Sequence, residues 1–214
     1  MNTSLDSYLE IVEVIEDINV LHREFSYEIQ DVLTFNLRRS VSRIVSGKEI
    51  DENFQMLVNE YKLALNANMI RFLEFQDRFP SVRIRIKQGE SISEKLFYYK
   101  NKRENGRVPI NKCLNDLLGF RLIVSNLGSV GEKIKLDNRL QKSISRMYPR
   151  SDGYYEALHL YFKNSNNRFF PWELQIWDVT QAELNEKSHE EHKQKRKYIL
   201  LPQNYRDGNL EKEG

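Results

Sequence analysis

The stretch Asp116-Leu117-Leu118-Gly119-Phe120-Arg121-Leu122-Ile123-Val124 decides the fold. From Gly119 to Val124 it reads as a buried strand, short, apolar and β-branched toward its end. An acidic residue leads into that strand, and an arginine sits within it. A carboxylate entering an apolar core is costly without a partner, so Asp116 calls for a cation, either a metal ion or the Arg121 guanidinium.

Outward from this strand the period alternates between two and 3.6. Upstream, residues 81–87 (SVRIRIK) alternate apolar and basic side chains, as a half-buried strand does. Ser91 opens the next helix as N-cap, with Glu94 at the capping-box position three residues on. Downstream, residues 130–142 read as helix, while 157–162 (ALHLYF) and 172–177 (WELQIW) read as strands. A charged helix over about 179–198 carries Lys193, Lys195, Arg196 and Lys197. The order β-α-β-α-β-β-α predicts an α/β domain over 80–200, a mixed, mainly antiparallel sheet of about five strands flanked by helices.

Residues 1–79 precede it as a helical segment that packs on the core. Tyr8, Ile11, Val12, Ile15 and Ile18 make one apolar stripe of a helix over 5–37, continued by Leu21, Phe25 and Ile29. A second helix follows Asp51, with Phe54, Leu57, Val58, Tyr61 and Leu65 at the same spacing, and stops before Pro80. Residues 201–214 form a polar tail.

Among the 214 residues there is a single cysteine, Cys113, which excludes an internal disulfide and a multi-cysteine zinc site. The acidic, amphipathic N-terminus has no signal-peptide pattern, and no apolar run is long enough to span a membrane, so a cytoplasmic location is expected. The net charge is only +2, but residues 1–60 hold 5 Lys/Arg against 12 Asp/Glu and the remainder 28 against 19. The basic part suits a polyanion such as a nucleotide or RNA.

Four segments carry candidate chemistry. Arg85-x-Lys87-x3-Ser91-Ile92-x2-Lys95 sets basic side chains at a strand end beside a helix N-terminus, which favours phosphate. Asp116-x2-Gly119-x-Arg121 is the second. Asp152-Gly153-Tyr154-Tyr155-x3-His159 puts two tyrosines at a glycine turn, where an exposed ring offers a base a stacking surface. In Glu173-x-Gln175 a carboxylate and an amide share one face of a core strand, and Asn185, His189 and His192 follow on one helix face. Each has a plain structural reading: a solvated basic strand, an Asp–Arg ion pair, packing tyrosines, a polar helix face.

In this order the four segments resemble the synthetase domain of the RelA/SpoT family, and of its small, synthetase-only members in particular, the toxic small alarmone synthetases among them. The resemblance covers about residues 80–198 and is most specific in DLLGFRLIV and ELQIWD. It implies a nucleotidyltransferase-like fold and a pyrophosphokinase that moves the β,γ-pyrophosphate of ATP to a 3′-hydroxyl. Arg85 and Arg121 then sandwich the adenine, Lys87, Ser91 and Lys95 serve the triphosphate, and Asp116 and Glu173 are the catalytic, Mg²⁺-binding carboxylates. Tyr155, with Tyr154 as the alternative, stacks on the acceptor base, and His159, Gln175, Asn185 and His189 line the acceptor pocket. Arg146 is the further phosphate residue, with Arg150 the alternative. The motif departs from the family at Trp177-Asp178, where many members carry Arg-Thr. Two acceptors stay open, GDP or GTP giving (p)ppGpp, or the 3′ end of tRNA in a toxin-like member with a neutralising antitoxin. A homo-oligomer is compatible with either. A non-catalytic RNA-binding module is the reading from another class.

Overall fold

The structure, a computed structural model, describes residues 8–163 and 166–188. Helix α1 spans Tyr8–Glu28, and a small hairpin of β1 (Val45–Ser46) and β2 (Glu49–Ile50) leads to α2 (Glu52–Ala67) and α3 (Met69–Arg78). Then come β3 (Val82–Ile86), α4 (Gly89–Lys102), α5 (Ile110–Cys113), β4 (Leu118–Val124), α6 (Leu127–Leu136) and α7 (Leu140–Ser143). Strands β5 (Arg146–Asp152), β6 (Tyr155–Phe162) and β7 (Trp172–Asp178) complete a five-stranded sheet ordered β3-β4-β7-β6-β5. Only the β4–β7 pair is parallel, so the sheet is mixed and mainly antiparallel, as expected.

Several boundaries differ from the sequence reading, each for a local reason. The first helix ends at Glu28 rather than 37. Ile29, Leu33 and Leu37 keep helical spacing and are buried, but the Leu37 backbone pairs with Asn167 and Asn111 instead of with its own turn. The second helix starts after Asp51, whose carboxylate caps Phe54 N–H, and breaks at Asn68. Ser91 is not an N-cap: α4 begins at Gly89 after Gln88, because Ile92 N–H already bonds the Gln88 carbonyl. Helix 130–142 divides at Asp137, whose carboxylate takes the Arg139 and Leu140 N–H groups.

Strand β5 has no alternating pattern to betray it: it is an exposed edge strand and carries Pro149, which such strands tolerate. The β5–β6 hairpin turns at Gly153, whose φ of +63° lies in the left-handed region that tight hairpin turns use. After β7 a turn at Val179–Gln181 leads into helix over 182–188. The rest of the expected final helix, with His189, His192 and the four basic residues, lies outside the described residues, as does the tail over 201–214.

One face of the sheet carries the core. Val82, Leu118, Phe120, Leu122, Leu160, Phe162, Leu174 and Ile176 belong to one apolar cluster with Ile11, Ile15 and Ile18 of α1 and Phe54 and Leu65 of α2. Trp172 sits at its centre against Phe25, Phe72 and Phe120, and its indole N–H donates to the Tyr61 hydroxyl at 2.7 Å. No helix of the described residues is long and apolar enough to cross a membrane.

His22 in this core predicts an acid sensitivity. Its Nε2 lies 3.0 Å from the Phe170 carbonyl, its ring packs edge-on to Trp172, and burial pushes its pKa down to about 4. A histidine held neutral stabilises fully above its ordinary value near 6.5, and that contribution is lost as pH falls toward 4. Between pH 7 and pH 4 the loss comes to about 3 kcal/mol. Urea unfolding of wild type and His22→Gln at both pH values checks it: the variant's stability should fall less with acid by that amount, and equal falls would refute it.

Candidate active site

Strand register dictates which side chains share the other face. Arg83 stands opposite Arg121 and Arg85 opposite Gly119, while across the parallel pair Gly119 meets Glu173 and Arg121 meets Gln175. On β6, Tyr161 lies beside Glu173 and His159 beside Gln175, and on β5 Tyr148 lies beside His159 and Arg146 beside Tyr161. Alternation thus gathers polar residues from all five strands on the face away from the core. Gly119 leaves its floor open: a Cβ there would meet only the Arg85 carbonyl, at 3.9 Å.

Asp116, just before β4, is buried and fully partnered. Lys87 Nζ donates to Oδ2 at 2.8 Å and Lys95 Nζ to Oδ1 at 3.0 Å. Burial alone raises a carboxyl pKa, but Lys95 and Lys87 outweigh it and hold Asp116 well below the usual range. Lys95 also donates to Asn115 at 3.2 Å. Burial and the neighbouring Asp116 act oppositely on Lys95, whose pKa ends up raised, whereas burial pulls that of Lys87 down. The expected partner of Asp116 is therefore this lysine pair, not Arg121.

Glu173 is the second buried carboxylate. Its Oε1 accepts from the Tyr161 hydroxyl at 2.6 Å and from His159 Nδ1 at 2.8 Å, and its Oε2 accepts from Gln175 Nε2 at 2.8 Å. Burial and the Asp116 charge push its pKa up, the His159 and Tyr161 hydrogen bonds pull it down, and it stays lowered. Register sets Glu173 beside Gly119, which follows Asp116 by three residues, and the Asp116 charge acts on Glu173. The other ring nitrogen of His159, Nε2, lies 3.0 Å from the Tyr155 hydroxyl, which is also 3.4 Å from Gln175 Oε1.

Arg121 is fixed rather than free. Its guanidinium lies 3.7 Å from the Trp177 ring centroid and donates to Glu186 at 2.9 Å, and Glu186 also pairs with Arg83 at 3.1 Å. Arg85 is exposed on the same face. Arg146 lies over Tyr148 and Arg150 over Tyr155, at 4.6 and 5.5 Å, and Tyr148 stacks on His159.

Not every expected residue reaches the cleft in the expected form. Tyr155 is buried at 4% exposure against Trp177, and the exposed ring is Tyr154 in the turn, at 79%. Asn185 is fully buried, and its amide is spent on the Glu156 backbone, accepting its N–H and donating to its carbonyl. It pins the 182–188 helix to β6. Ser91 lies in the first turn of α4, half-buried. His189 lies outside the described residues. Tyr161, Tyr148, Arg83 and Glu186 were not anticipated. Alternation from His159 and Arg85 points to Tyr161 and Arg83; nothing in the sequence marks Tyr148, whose strand is cryptic, or Glu186.

The sequence matches no protein-family model and no curated protein. Solved structures do match. The fold is similar to that of small alarmone synthetases. Small alarmone synthetase 2 from Bacillus subtilis aligns at 20% identity over 73% of this chain and 88% of its own, with a TM-score of 0.41. Small alarmone synthetase 1 from the same organism aligns at 17% identity over 73% and 86%, with a TM-score of 0.40. Its AMPCPP-bound form aligns at 18% over 72% and 80%, with a TM-score of 0.32.

The acidic pair fits magnesium in its donor chemistry. Both carboxylates are ionised hard-oxygen donors, although among the described residues no group of three or more His, Cys, Asp or Glu could hold a metal ion by itself. Magnesium keeps several waters and takes one or two carboxylates plus substrate phosphates, which is what Asp116 and Glu173 offer.

Proposed function

We propose that this protein is an ATP-dependent pyrophosphokinase that transfers the β,γ-pyrophosphate of ATP to the 3′-hydroxyl of GDP or GTP. One observation carries the reading. Two buried, ionised carboxylates stand at neighbouring strands, Asp116 clasped by the buried Lys87 and the partly exposed Lys95, beside a sheet face that carries arginines. A pure anion-binding surface has no use for that pair, whereas phosphoryl-group transfer needs charge neutralisation beside a base.

Lys87 and Lys95 pass from Asp116 to the β- and γ-phosphates when ATP enters, and Arg85 and Arg121 hold its adenine. Asp116 and Glu173 are the residues that would hold Mg²⁺. When bound, the ion neutralises phosphate charge and orients the phosphate chain. On Glu173, Oε1 already has two donors and Oε2 one, so Oε2 is the oxygen left to take the acceptor's proton. The 3′-oxygen bonds to Pβ, the bond from Pβ to the α,β-bridging oxygen breaks, and AMP leaves. Tyr154, as the exposed ring, stacks on the acceptor base, and Tyr155 holds His159 behind it.

A second acceptor, the 3′ end of tRNA, is favoured by one feature. Arg146 and Arg150 project from an exposed edge strand over Tyr148 and Tyr155, extending the face with guanidinium–aromatic pairs that suit a single-stranded RNA end. One experiment separates the readings: incubation with γ-labelled ATP and Mg²⁺ in the presence of GDP, GTP, ATP or deacylated tRNA. Label in a guanosine tetra- or pentaphosphate is expected. Label in tRNA instead selects the second acceptor, and no label anywhere overturns the enzymatic reading.

A further inference from the structure

Trp177 and Glu186 have no part in the chemistry so far, yet both are built around Arg121. Positions 173, 175 and 177 alternate onto the cleft face, and β7 pairs in parallel with β4, so Trp177 stands beside Ile123, diagonal to Arg121. Trp177 is fully buried, with Tyr155 edge-on at 6.0 Å and Arg121 covering it at 3.7 Å. Glu186 is delivered by the 182–188 helix, which Asn185 ties to the Glu156 backbone. The outcome separates Arg121 from its neighbour: its side chain is 18% exposed, against 53% for Arg83.

We infer that Trp177 and Glu186 are positioning residues that fix the Arg121 guanidinium as a flat stacking surface for the adenine ring of ATP. This rests on the pyrophosphokinase reading above. A guanidinium stacks through its faces and hydrogen-bonds through its edge. Trp177 takes one face and Glu186 the edge, so the plane is set before a purine arrives, and little freedom is lost on binding. Were Arg121 instead to grip a phosphate through its edge, Glu186 would occupy the ligand's place. The two arrangements predict opposite effects of removing that carboxylate.

The test is equilibrium binding of a non-hydrolysable ATP analogue to the full chain by calorimetry, with KM and kcat measured for ATP. Trp177→Leu should weaken analogue binding about tenfold and raise KM(ATP) in step, with kcat at saturating ATP nearly unchanged. Trp177→Phe, which restores an aromatic face, should recover most of the loss. Glu186→Gln should weaken binding roughly threefold. The cradle is refuted by folded Trp177→Leu binding like wild type, or by Glu186→Gln binding more tightly. If circular dichroism shows Trp177→Leu unfolded, the sign of the change in Glu186→Gln decides, since the Glu186 side chain is 45% exposed and outside the core. Wild type that binds the analogue but transfers nothing refutes the pyrophosphokinase and leaves the cradle to these variants. Wild type that does not bind it refutes the cradle.

Discussion

Glu173→Gln should lower kcat for pyrophosphate transfer by about 1,000-fold, within the span general-base removal produces. The amide keeps the shape of the carboxyl but has no charge and no oxygen basic enough to take a ribose proton. The network can re-form around it. The amide oxygen takes the Tyr161 and His159 bonds, and its NH2 turns toward Gln175, whose own amide flips to present an oxygen. The flipped Gln175 then offers its NH2 to the Tyr155 hydroxyl, whose oxygen accepts it. Donor and acceptor counts still balance, so stability to urea should change by only about 1 kcal/mol. Loss of turnover with an unaltered unfolding curve is the expected pair of results. Turnover within tenfold of wild type would place the base elsewhere.

Alternation made most of this sheet legible. Strands β3, β6 and β7 carry apolar residues on one parity and most of their polar residues on the other, so their two faces follow from the sequence once a strand is recognised, whereas in β4 only Arg121 marks the second face. The same parity sets Glu173 and Gln175 side by side and puts Tyr155 with His159 on the face away from the core. What it cannot convey is depth. The glycine turn and the resemblance make Tyr155 the stacking ring, but the 182–188 helix and Trp177 close over that end of the sheet and bury it. Helical spacing groups Asn185 with two histidines on one polar face, and the family resemblance makes it a pocket residue. The β6–β7 ladder stops at the Leu158–Ile176 pair, and the Glu156 backbone beyond it claims the Asn185 amide instead. Edge strand β5 escaped because proline and exposure erase the pattern, and Tyr148 went unseen with it. The partners of Asp116 were equally hidden, since Lys87 and Lys95 stand 29 and 21 residues away in sequence.

Those two lysines make Asp116→Asn a different experiment from Glu173→Gln. The sequence alone leads one to expect an intact fold with activity abolished. The structure changes the first half of that expectation: Lys87 and Lys95 are 7% and 15% exposed, and Asp116 is the carboxylate both of them bond. Neutralising it leaves two ammonium groups facing each other in a poorly solvated site. Breaking a buried pair in this way costs roughly 3–5 kcal/mol. The amide offers one oxygen where there were two, and its NH2 points at an ammonium. Asp116→Asn should therefore lose stability by about 3 kcal/mol in urea and lose transfer activity as well. Activity loss alone would then be ambiguous, and a second substitution resolves it. Lys87→Met in the Asp116→Asn background removes one uncompensated charge and keeps the aliphatic stem, so stability should recover by at least about 1 kcal/mol while transfer stays abolished. If activity returned with stability, Asp116 would be a structural counter-ion and no part of the chemistry. If neither returned, the lysine pair would not be what Asp116 holds in place.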